Sequence, residues 1–100
     1  MPVVLQVDFP TQGPFAEEMT QAFTPLAESI NQEKGLIWKI WTENADTQEA
    51  GGIYVFDTVE NATAYLDMHT ARLQTFGITH IRSKIFHVNT ELSKINHISL

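Results

Sequence analysis

The chain has 100 residues, of which 43% are hydrophobic and 18% charged, and carries a formal net charge of −6 with no cysteine. That composition belongs to a globular protein with one core and excludes a disulfide framework and thiol chemistry. Lys34, Lys39, Arg72, Arg82, Lys84 and Lys94 are scattered, so the chain lacks the clustered basic face that nucleic acid or an anionic membrane surface requires.

No apolar run approaches the roughly 18 residues of a membrane span, and Met1-Pro2-Val3-Val4-Leu5 has neither a basic n-region nor a cleavage site. The expectation is a cytoplasmic protein folded as one domain, 1–100, with 90–100 as a docking tail.

Val3 to Phe9 is β-rich and reads as a first strand, broken by Pro10 to Pro14. Phe15, Met19, Ala22, Phe23, Leu26 and Ile30 then recur at helical spacing and predict an amphipathic helix of about 18 residues, with Gly35 as its left-handed cap. Leu36 to Glu43 is a second strand, Asn44 to Gln48 a polar turn, and Gly51 to Phe56 a third strand. Asp57 or Thr58 caps a second helix, with Glu60 completing a capping box. Its stripe runs through Ala62, Leu66, His69, Leu73 and Phe76, with Tyr65 beside it, and Gly77 ends it. A fourth strand is expected from Thr79 to Val88, and the tail places Leu92, Ile95 and Ile98 at three-residue spacing.

The order β-α-β-β-α-β with right-handed crossovers implies a ferredoxin-like α+β fold: a four-stranded antiparallel sheet with two helices on one face. A sheet with one bare face should alternate apolar and polar residues. Here Leu36, Trp38 and Ile40 are expected to point one way and Ile37 and Trp41 the other, while Ile53 and Val55 oppose Tyr54 and Phe56. Both faces are therefore apolar. The expected partner is a second copy of the chain, packed face to face as a homodimer; the alternative is that the 91–100 tail folds back over the bare face.

Glu28 to Glu33, Trp38-Lys39, Trp41-Thr42-Glu43, Glu49 to Tyr54 and His69 to Leu73 resemble the YdhR-type mono-oxygenases over essentially the whole chain. The resemblance implies a dimeric α/β-barrel akin to the antibiotic-biosynthesis mono-oxygenases, which oxidise aromatic polyketides without metal, flavin or haem.

Candidate substrate-binding residues are Trp38, Trp41, Tyr54 and Tyr65, which read either as the flat walls of an aromatic site or as core and interface. Only one of Trp38 and Trp41 is expected to see a cavity between sheet and helices. His69, on the apolar stripe, reads as a general base or as a satisfied core histidine. Arg72 reads as an anion stabiliser or as a surface ion pair. Gly51-Gly52 permits a bulge or the close approach of a ligand, or simply leaves the hairpin. His69, His80, His87 and His97 lack metal-ligand spacing and no nucleotide motif is present, so no cofactor is expected. Three functions follow: a cofactor-independent mono-oxygenase of a hydroxylated aromatic or quinol, a non-catalytic barrel for a small apolar ligand, and a structural dimer filled by its own side chains.

Overall fold

The computed structural model describes residues 1–99; Leu100, the last residue of the tail, lies outside them. Strand β1 (Val3–Pro10) turns Val3, Leu5 and Val7 inward, all buried, and Gln6 and Asp8 outward. It lies inside the sheet, whose order is β2-β3-β1-β4 with every pair antiparallel. Helix α1 (Ala16–Ile30) covers one face. Its first residue donates the Ala16 N–H to Glu43 Oε1 at 2.6 Å, and Glu17 and Glu18 complement the dipole in the first turn.

The helix is shorter than the apolar spacing suggests. It closes at Asn31, and Gly35 serves the following turn instead of the cap. With φ +83°, Gly35 sits where a Cβ would strike Asp57 and Asn61, so only glycine fits there. Ala22, assigned to the buried stripe, is exposed, and Pro25 lies within the helix. Pro25 has no N–H for the Gln21 carbonyl, which weakens the ladder at mid-helix.

Strand β2 (Leu36–Asn44) pairs with β3 (Glu49–Phe56) through a β-bulge. Leu36 opposes Phe56 and Trp38 opposes Val55, leaving Ile37 as the extra residue. The bulge corrects the simple alternation: Leu36 packs on the helix-side core, while Trp38 and Ile40 lie on the other face. Lys39 opposes Tyr54 and Trp41 opposes Gly52, both on the helix side. Asn44 holds the hairpin turn by accepting from the Asp46 and Thr47 N–H groups.

Gly51-Gly52 forms neither a bulge nor a turn exit, because β3 begins at Glu49 and pairs regularly with β1. A Cβ on Gly51 would lie 1.9 Å from the Val7 carbonyl, and one on Gly52 2.8 Å from Lys39 Cε. The first glycine admits the neighbouring backbone and the second a lysine stem.

Helix α2 (Val59–Thr75) buries Ala62, Tyr65, His69 and Leu73. Its cap is Thr58, whose side chain accepts from the Asn61 N–H; Asp57 accepts from the Asn61 side chain, and Glu60 closes no box. Strand β4 (Arg82–His87) is shorter than expected, since His80 at φ +57° turns the chain before pairing begins. Helix α3 (Thr90–Ile95) follows, capped by Asn89. Val3, Leu5, Val7, Tyr54, Phe56, Ala62, Tyr65 and Leu73 form the core between sheet and helices.

The far face of the sheet is divided. Val4, Val55, Trp38 and Phe86 form one row and Ile53 and Ile40 continue it, whereas Arg82 pairs with Asp8 and Glu49 at the other end. Ile40 and Phe86 are about half exposed, at 50% and 49%. The tail does not shield them: Leu92 and Ile95 are themselves exposed. No helix among the described residues is long and apolar enough to cross a membrane.

Candidate active site

Between α1 and the sheet lies a cavity of about 270 Å³. Met19, Phe23 and Leu26 bound it from α1, Phe9 from β1, Lys39 and Trp41 from β2, Tyr54 from β3, and His69, Leu73 and exposed Phe76 from the end of α2. Its walls are nearly all apolar, and Trp41 stacks on Phe23 with ring centroids 6.2 Å apart and planes inclined by 16°.

Each polar group reaches the cavity for a local reason. Tyr54 and Lys39 are cross-strand partners on the helix side of β3 and β2. His69 follows Tyr65 by one helical turn and stacks on its ring at 5.1 Å. Arg72, one turn further, folds back to donate from Nη2 to His69 Nδ1 at 2.8 Å and to Tyr65 Oη at 3.4 Å.

A guanidinium has donors only, so Nδ1 is the acceptor and the neutral imidazole carries its hydrogen on Nε2. That hydrogen points to Tyr54 Oη at 3.4 Å, which also accepts from the Tyr65 hydroxyl at 3.2 Å. Two donors converge on one phenolic oxygen.

Burial, then Arg72 and Lys39, pushes His69 down to about 3, so the ring is neutral at physiological pH. Both nitrogens have hydrogen-bond partners, the arrangement of a satisfied core histidine, and a general-base role would require His69 to give one of them up. Burial pushes the Tyr54 hydroxyl well above its ordinary range, and Tyr65 rises chiefly for the same reason.

Lys39, which the spacing of motifs did not single out, is strongly altered by the fold. Its Nζ lies 3.4 Å from the Trp41 ring centroid and 4.6 Å from that of Tyr54. Burial, and then the Arg72 charge, pulls it from 10.5 down to about 7. The ion pairs among the described residues are those of Arg82, and neither involves Lys39 or Arg72. Arg72 Nε is buried with no hydrogen-bond partner.

Of the six residues proposed from sequence, Trp41, Tyr54 and His69 border the cavity. Tyr65 and Arg72 form the layer behind it, and Trp38 lies on the opposite face of the sheet. Arg72 is no surface ion pair, because its guanidinium is turned onto His69 and Tyr65. No group of three or more His, Asp or Glu side chains suited to a metal occurs among the described residues.

The fold is ferredoxin-like α+β, with an apolar cavity between sheet and helices. In that fold the chain is similar to a putative antibiotic biosynthesis monooxygenase from Deinococcus radiodurans, with a TM-score of 0.63 at 13% identity over 87% of this chain and 92% of that one. Residues 4–99 match the family described as "Putative mono-oxygenase ydhR", and the chain belongs to that family. No curated protein matches the sequence.

Proposed function

We propose that this mono-oxygenase-family protein oxidises a small hydroxylated aromatic, of quinol or naphthol type, with the substrate itself as the reductant of dioxygen. The observation that carries the reading is the cavity: flat walls at Trp41 and Phe23, the phenol of Tyr54, the Lys39 amine, and the Arg72 guanidinium in the layer behind, with neither Lys39 nor Arg72 in an ion pair. Such a site favours a planar apolar molecule that ionises at one oxygen. Its volume suits one or two rings.

Loss of the hydroxyl proton makes the ring electron-rich. One electron passes to dioxygen, the two radicals join at carbon, and loss of water leaves a carbonyl. One oxygen atom enters the product, the other leaves as water, and all four electrons come from the substrate. Tyr54 donates to the substrate oxygen; His69, Arg72 and Tyr65 hold Tyr54 in that role as positioning residues. Trp41 supplies the stacking wall. Trp38 belongs to a different task, the face through which two copies pair as a homodimer, with exposed Leu92 and Ile95 of α3 available to clasp the neighbour.

Oxygen uptake by the purified protein with a panel of quinols and naphthols tests the reading, and a silent panel removes it. The non-catalytic alternative draws on the same apolar cavity and is distinguished by saturable binding without turnover. A dimer filled by its own side chains is disfavoured by the open volume beside Trp41.

A further inference from the structure

We infer that Lys39 Nζ is the proton acceptor of this cavity, so that a weakly acidic phenol or enol is bound there as its anion against the lysine ammonium. The inference deepens the proposed function and rests on its reading of the cavity as a site for aromatic alcohols. Three titratable side chains border the cavity: Lys39, Tyr54 and His69. His69 accepts from Arg72 at Nδ1 and carries its hydrogen on Nε2, and Tyr54 already accepts from two donors. The guanidinium behind them has no lone pair to offer. Only the amine of Lys39 is left to receive a proton.

Its setting serves that task. The ligand's O–H bond breaks, an N–H bond forms, and the electron pair stays on oxygen, with no oxidant or reductant required. The ammonium so formed faces the Trp41 and Tyr54 rings, which favour a cation. The groups facing it are Tyr54 on β3 and His69, Tyr65 and Arg72 on α2, with the Glu33 carboxylate acting on Tyr65 from the turn before β2; α1 presents uncharged Met19, Phe23 and Leu26, and β1 presents Phe9. With no carboxylate paired to it, the amine is neutral over a range where an ordinary lysine is charged. Gly52 makes room for the stem, since a Cβ there would meet Lys39 Cε.

The experiment uses 2-naphthol, which is neutral in solution at about pH 8 and absorbs differently as its anion. Wild-type protein should show the naphtholate band on binding at that pH, with an affinity flat over about one pH unit because the proton is transferred within the complex. Lys39→Met should lose the band and bind about tenfold more weakly. Lys39→Arg, a fixed cation, should keep the anion but gain affinity about tenfold per pH unit, since its proton now goes to solvent. Gly52→Ala, which crowds both the Lys39 stem and the Tyr54 ring while sparing the amine itself, should weaken the band.

Neutral naphthol in the wild-type complex, no binding at all, or a band that persists in Lys39→Met overturns the inference. Naphtholate binding without oxygen uptake from any quinol would leave Lys39 standing and remove the oxygenase. Uptake unchanged in Lys39→Met would do the reverse.

Discussion

A buried amine with no carboxylate paired to it and the Arg72 charge nearby costs stability whenever it is charged. Lys39 has its folded-state value depressed to about 7 from 10.5, so the unfolded chain binds more protons between those limits and stability rises with pH through that window. Below about pH 7 the full penalty is present. Lys39→Met should therefore melt higher than wild type at about pH 6, and the difference should shrink as pH approaches about 10; thermal unfolding followed by circular dichroism across that range checks it.

Tyr54→Phe has the opposite sign. It removes the acceptor of both the His69 Nε2–H and the Tyr65 hydroxyl, leaving two buried donors unpaired, at a cost of about 1–3 kcal/mol in denaturant unfolding together with loss of oxygen uptake. His69 and Tyr54 were legible in the sequence, as a polar group on an apolar stripe and an aromatic on an inward parity. Lys39 was not: a lysine within an apolar strand reads as solvent-facing, and only the packing of Trp41, Tyr54 and α2 around it shows otherwise.

Among the elements, α1 carries the clearest conflict between local preference and packing. Its apolar spacing announces a helix, yet Pro25 interrupts the ladder at an exposed position. Pro25→Ala restores a donor to the Gln21 carbonyl and should raise stability by about 1 kcal/mol or more, read as a higher denaturation midpoint; no gain would mean that packing, not the proline, sets the path of the helix.

In β3, Gly51→Ala drives a methyl group into the Val7 carbonyl across the ladder and should cost at least about 2 kcal/mol in the same assay. The order and type of β1 to α2 follow from period and punctuation. Two features did not. The bulge at Ile37 adds no residue that local pattern marks, and β4 starts late because His80 adopts a left-handed conformation that histidine does not advertise.

At the scale of the whole molecule, the sheet has one face under helices and one that is apolar at Trp38, Ile40, Ile53, Val55 and Phe86 but charged around Arg82. With Ile40 and Phe86 half exposed around a buried Val55, this face suits an isologous contact, in which each residue meets its symmetry mate's surroundings. Ile40→Glu places a charge on that half-exposed apolar surface and should convert a dimer to a monomer, read by light scattering after size exclusion, with the thermal transition of the monomer little changed. A wild-type monomer would remove the proposed pairing.

The order of strands and helices, the two apolar faces and the opposition of Trp38 to Trp41 were all decided by the sequence itself. Each depends on local periods of two or 3.6 residues that survive without knowledge of neighbours. The tertiary structure alone decided which tryptophan meets the cavity, that Arg72 turns inward onto His69, and that Lys39 is buried beside Trp41 and Tyr54 with its basicity lowered. Those depend on groups brought together from β2, β3 and α2, where burial and the nearness of one cation to another change chemistry that no single segment contains.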